Sequence, residues 1–118
     1  MIIQIKYKNI RDFYIKYFTF LNPYLKLNKN SIEVLSAYCT LYHKYKDYNK
    51  DNLYNILFSD STSKAIQEKI GLSPIKYKRA FSTLKNKGYI LDNSINTKLL
   101  HFSVKNDNKI QLEFNEEK

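Results

Sequence analysis

Ile10, Phe13, Tyr14, Tyr17, Phe18 and Leu21 fall three and four residues apart, the spacing that lines side chains along one face of an α-helix. Asn9 stands where a cap is needed, and Pro23 is expected just past the end of this helix. A longer helix should follow from a cap at Asn28 or Asn30 to residue 46, with Ile32, Leu35, Cys39 and Tyr42 inward and Val34, Tyr38 and Leu41 beside them. Residues 44–51 are polar and turn-like, and Asp51 can cap a short helix over residues 52–58, docked by Leu53, Ile56 and Leu57. At the two ends of the chain the period changes to two. Residues 2–7 place Ile3 and Ile5 on one side and Gln4 and Lys6 on the other, and Ile110, Leu112 and Phe114 alternate with Gln111 and Glu113. Both segments read as strands, the second following an Asn106-Asp107-Asn108 turn and extending the sheet of the hairpin that precedes it.

Residues 61–90, STSKAIQEKIGLSPIKYKRAFSTLKNKGYI, carry the densest signal. Asp60 or Ser61 offers a cap, then Ala65, Ile66 and Ile70 recur at helical spacing until Gly71, which supplies the positive φ of a sharp exit. Leu72 is placed to enter the core beneath the turn and Ser73 to cap the next helix. Pro74 falls at the first helical position, where its missing N–H costs nothing. Tyr77, Ala80, Phe81 and Leu84 then share one face while Lys76, Lys78, Arg79, Ser82 and Thr83 lie elsewhere, and Gly88 closes the helix. Residues 89–91 and 99–104, joined through Asp92-Asn93-Ser94, should form a β-hairpin.

This run resembles the core of winged helix-turn-helix proteins: an apolar-patterned helix, Gly-apolar-Ser, and a recognition helix ending in Leu-x-x-x-Gly-aromatic-Ile, here Gly71-Leu72-Ser73 and Leu84 through Ile90. Gln67 departs from the pattern, standing where the family usually places a small residue. The resemblance implies a mainly α fold with a small β-hairpin: a tri-helical core and a wing, to which a strand and a helix are added at the N-terminus. A chain of 118 residues is too short for two domains. It divides into an N-terminal extension (1–24), a winged-helix core (28–104) and a C-terminal strand with an acidic tail (105–118).

Charge adds to this picture. The net charge is +9, and between residues 61 and 88 six lysines and one arginine face a single acid, Glu68, for a local +6. Acids gather instead at Glu113, Glu116 and Glu117. A polyanion is the partner such a distribution suits, because each neutralised phosphate releases counterions. Eleven tyrosines and seven phenylalanines argue for a folded chain; the heavy use of Lys, Asn, Ile and Tyr also reflects AT-rich coding DNA.

Under the winged-helix resemblance, the helix from Pro74 would enter the major groove of duplex DNA. The resemblance places base readout at Ile75, Lys76 and Arg79, with Ser82 nearby, and phosphate contacts at Ser73, Lys78 and the outer lysines, so that Lys64 and Lys85 continue the basic face. Arg79 is the strongest candidate for a base, since a guanidinium bonds guanine O6 and N7 together. Asn96 and Lys98, near the tip of the expected wing, could touch an adjacent minor groove or the backbone.

Catalytic chemistry has no comparable signal. His43 and His101 share no metal-ligand spacing with Cys39 or with a carboxylate pair, and two glycines leave no room for a phosphate-binding loop. No catalytic residue, metal or cofactor is expected, and Cys39 reads as a small buried core residue. The expected role is a transcriptional regulator, or a replication or genome-handling factor, of a phage, plasmid or low-GC bacterium. The alternative is a structural or interaction protein, for example of a phage particle, that uses the aromatic N-terminal segment as a homo-oligomer or partner surface. With neither a long apolar run nor a signal-peptide pattern, the expected location is cytoplasmic and nucleoid-associated, or within a particle, with no membrane partner.

Overall fold

The computed structural model describes residues 2–92, 94–96 and 111–116. In chain order they form β1 (Ile2–Tyr7), α1 (Ile10–Leu25), α2 (Lys29–Lys44), α3 (Lys50–Leu57), α4 (Asp60–Ile70), α5 (Pro74–Asn86), β2 (Ile90–Leu91), β3 (Ser94–Ile95) and β4 (Gln111–Glu116). The fold is thus mainly helical with a small antiparallel hairpin.

Each helix starts on a polar cap. Asn9 accepts from the Asp12 N–H at 2.8 Å, Asn28 from Ser31 at 2.8 Å, and Ser73 from Lys76 at 3.3 Å, as the spacing predicts. Two caps fall earlier than expected. Asn49 rather than Asp51 caps α3, and Ser59 rather than Asp60 or Ser61 caps α4. Asp51 and Asp60 instead occupy the first turns, where a carboxylate meets the positive end of the helix dipole. Pro23 does not follow α1 but sits inside its last turn. The hydrogen bond that Pro23 cannot donate would have gone to the carbonyl of Thr19, and both residues are exposed, so water can serve that carbonyl. The helix ends at Lys26, in the left-handed region at φ 55°, with Asn22 clasping Leu27 through two bonds of 2.8 and 3.0 Å.

Helix α2 is the centre of the molecule. Val34, Leu35, Tyr38 and Cys39 are fully buried, and Ser31, Ser36 and Ala37 keep its other sides small enough for neighbours to approach. Against it pack Tyr14, Tyr17, Phe18, Leu21 and Leu25 of α1, Leu53 and Leu57 of α3, Ile66 of α4, and Tyr77, Ala80 and Leu84 of α5. Ile90 and Ile95 close the same core from the hairpin. Each fully buried Leu or Phe contributes about 1.5–3 kcal/mol relative to exposure. The N-terminal segment is therefore an integral wall of one core. Ala65 and Ile56, expected to point inward, are exposed, so Ile66 docks α4 with help from the half-buried Ile70.

The strands depart further from expectation. β2 and β3 pair antiparallel in the register Ile90↔Ile95 and Leu91↔Ser94, so the chain has already returned by Ser94, which belongs to the strand rather than the turn. The return expected over residues 99–104, like the Asn106-Asp107-Asn108 turn, lies outside the described residues. Among the described residues β4 does not pair with the hairpin. It pairs in parallel with β1, from Ile2↔Gln111 to Tyr7↔Glu116. A parallel pair needs a long crossover, and here the whole helical body supplies it, bringing the two ends of the chain side by side.

Candidate nucleic-acid interface

Helices α4 and α5 are separated by three residues and both dock on α2. Gly71, at φ 80°, ends α4 in the left-handed region, and its N–H and that of Leu72 both donate to the carbonyl of Gln67, at 2.9 and 3.1 Å. Leu72 is half-buried against the core, and Ser73 and Pro74 open α5 at once. Gln67 is half-buried and α4 still packs on α2, so its length is accommodated.

The inward face of α5 is fixed by packing and by one buried polar bond. Tyr77 donates to or accepts from Tyr38 of α2, hydroxyl to hydroxyl, at 2.5 Å. Burial, and then the bond to Tyr77, push the Tyr38 hydroxyl well above the ordinary tyrosine range. Phe81 stacks on Tyr77 and tilts against Tyr38, with centroids 6.1 and 5.9 Å apart. With these side chains committed inward, the rotation of α5 about its axis is set.

That rotation decides what faces outward. Ile75, Arg79, Ser82 and Asn86 recur four, three and four residues apart and all are exposed, Ile75 at 64 %. Lys78 and Lys85 flank this stripe on one side and Lys76 on the other, again all exposed. Ser73 stands at the N-terminal end, its Oγ accepting from Lys76 N–H while the hydroxyl proton stays available. Lys64 is exposed on α4. Among the described residues the ion pairs are Lys16–Asp12 and Lys85–Asp92, both 3.2 Å, so Lys64, Lys76, Lys78 and Arg79 carry unneutralised charge. Asp92 is 94 % exposed, which leaves its pair with Lys85 weak and exchangeable.

Two expected residues fare differently. Asn96 is not at a hairpin tip. Its backbone N–H donates to Tyr89 and its Nδ2 to the carbonyl of Gly88, each at 3.0 Å, which pins it to the end of α5. The early return of β3 is the reason, because it brings residue 96 back to the base of the hairpin. Lys98 lies outside the described residues, as does His101. Asn86 completes the outward stripe and adds to the expected set. Helical register from Ile75 and Arg79 is the signal that finds it.

Elsewhere, Cys39 is wholly buried, and burial pushes its thiol far above the ordinary range. His43 lines a small cavity of about 150 Å³ with Tyr7, Ile10, Phe13 and Tyr14. No three His, Cys, Asp or Glu side chains come together as a metal site among the described residues, and no helix there is long and apolar enough to cross a membrane. The aromatic face of α1, expected as a partner surface, has Tyr14, Tyr17 and Phe18 packed into the core. No protein-family model, curated protein or solved structure matches this chain.

Proposed function

We propose that α2, α4, α5 and the β2–β3 hairpin act as a winged helix-turn-helix and that the protein binds duplex DNA through the outward face of α5. The observation that carries this reading is the unpaired cationic face itself. Lys76, Lys78 and Arg79 surround an exposed Ile75 and Ser82, no carboxylate opposes them among the described residues, and packing of Tyr77, Ala80 and Leu84 holds them in place. A rigid helix with lysines on both flanks and Ile75, Arg79 and Ser82 along its crest can enter a major groove, with the flanking lysines meeting phosphates. Ile75 supplies an apolar surface suited to a thymine methyl, and Arg79 a guanidinium suited to guanine. The start of α5 adds the Ile75 N–H, since Pro74 has none and those of Lys76 and Tyr77 are held by Ser73, together with the positive end of the helix dipole, for a phosphate beside Ser73. Regulation of transcription and a role in replication or genome handling both fit such a module.

Titration of the protein with labelled duplex DNA at two salt concentrations tests the reading. Binding should weaken steeply with salt. Lys78→Ala should weaken binding to all sequences alike and reduce the log–log salt slope by about 0.9. Arg79→Ala should cost about 1–3 kcal/mol on a preferred site, with little change on random DNA. Absence of salt-sensitive binding at low ionic strength, with both variants indistinguishable from wild type, overturns the proposal.

A further inference from the structure

Among the described residues Lys26 is the single one other than glycine with a positive φ, at φ 55° and ψ 53°. Glycine ordinarily takes such a position at the end of a helix, because a Cβ there crowds the next carbonyl. The turn around Lys26 is nonetheless firmly held. Its N–H donates to the Asn22 carbonyl at 2.8 Å, the Asn22 side chain clasps Leu27, and the Tyr89 hydroxyl donates to the Leu25 carbonyl at 3.0 Å. Tyr89 follows the last residue of α5 by three positions, so this bond fastens the connector between α1 and α2 beside the C-terminal end of α5. Lys26 in the connector, Lys29 at the start of α2 and Lys87 at the end of α5 are all exposed, and none forms an ion pair among the described residues. Glu33, one turn beyond Lys29, is half-buried and leaves that lysine unpaired.

We infer that Lys26, Lys29 and Lys87 form a second phosphate-binding patch, which extends the DNA interface past the C-terminal end of α5 onto the connector of the N-terminal helix. The inference rests on the DNA-binding reading of α5. With 13 residues that helix is about 20 Å long, whereas a major groove is about 12 Å wide. A helix that enters by its N-terminal half therefore carries its far end out over the phosphates bordering the groove, and the connector is fastened to that end. Duplex DNA bears one charge per about 1.7 Å of its axis, so a backbone passing there offers a phosphate to each of the three lysines. Ammonium groups meet phosphates as point charges without base preference, so the patch adds affinity and orientation and leaves sequence choice to α5. It also accounts for a lysine at the left-handed position, where glycine would serve the turn with less strain but bring no charge.

Titration of the full chain and its variants with labelled duplex DNA over a range of salt concentrations tests the patch. Lys26→Gly should weaken binding to all duplex sequences alike, about eightfold near 0.1 M salt, and lower the log–log salt slope by about 0.9. The same variant should melt at or above the wild-type temperature, because glycine relieves the left-handed backbone, so lost affinity with retained stability separates a phosphate contact from a damaged turn. Lys26→Arg should keep the wild-type slope. Lys26→Gly, Lys29→Ala and Lys87→Ala combined should lower it by about 2.7. Lys8→Ala removes one charge at the opposite end of α1, roughly 24 Å away, and should leave the slope unchanged. A wild-type slope in the combined variant, while Lys78→Ala still lowers it, overturns the patch and leaves the reading of α5 intact. An equal fall from Lys8→Ala also overturns the patch, since net charge alone would then account for the effect. Absence of salt-sensitive binding by the wild-type chain overturns both.

Discussion

Helices α2 and α5 pack against each other, yet α2 buries six consecutive residues, 34–39, whereas α5 buries only Tyr77, Ala80 and Leu84 at intervals of three and four. A helix whose neighbours surround it must present small or apolar groups in every direction, which is why Ser36, Ala37 and Cys39 stand between Val34, Leu35 and Tyr38. A helix docked on one side can keep the other for ions. The same core that makes α2 intolerant of change therefore holds the cations of α5 at fixed angles, and substitutions on the outward face of α5 should cost far less stability than those in the core that α2 and α5 share.

The largest effect is expected from alkali. Tyr14 and Tyr38 and the thiol of Cys39, all on or against α2, are pushed up from ordinary values of 10.0, 10.0 and 9.0, chiefly by burial. A folded-state pKa raised above the unfolded value gives stability that is full below the unfolded value and is lost as pH rises above it. Urea unfolding should therefore show stability flat up to about pH 8 and falling steeply beyond about pH 10. A flat profile past about pH 11 would mean that these three groups are not buried in the folded state.

Next in size are truncations on the shared seam. Leu35→Ala in α2 and Leu84→Ala in α5, both fully buried, should each cost about 2–5 kcal/mol of unfolding free energy. Phe81→Ala should cost less than Leu84→Ala, because Phe81 is only partly buried, and equal losses would show that α5 is rotated about its axis. Tyr38→Phe should cost about 1–3 kcal/mol by leaving the Tyr77 hydroxyl unpaired. The pair of changes with Tyr77→Phe should cost less than the sum of the two single changes, which a double-mutant cycle by thermal or urea unfolding can read.

Smaller still is Gly71→Ala. An added Cβ there meets nothing within 4 Å, so the penalty comes from the φ of 80° alone and should be about 1–2 kcal/mol. The smallest effect belongs to the outward face of α5. Lys76→Ala, Lys78→Ala and Arg79→Ala should each alter stability by no more than about 0.5 kcal/mol, and a larger loss in any of them would place that side chain in the packing rather than on the surface.

Much of the helical framework is legible in the amino-acid sequence because local rules govern it. Capping by Asn9, Asn28 and Ser73, the positive φ of Gly71 and the inward set Tyr77, Ala80 and Leu84 depend on residues within one or two turns of each other, and all appear as the spacing predicts. The outward cations of α5 follow from the same register. The early caps at Asn49 and Ser59 are ambiguous for a local reason too, since each of those helices begins in a run containing several competent capping side chains.

Amino-acid order by itself thus determined the helices, the turn between α4 and α5, and which side of α5 is charged, because helical periodicity and turn chemistry act over a few residues. Tertiary structure decided the rest. Alternation in residues 110–114 announces a strand but cannot name its partner, and only the return of the chain beside β1 makes the pair parallel. Nothing near Tyr38 or Tyr77 foretells a hydroxyl pair bridging 39 positions. The connector carrying Lys26 likewise meets the end of α5 only once α1 and α5 are both docked on α2, since packing is what brings Tyr89 within reach of Leu25, 64 positions away.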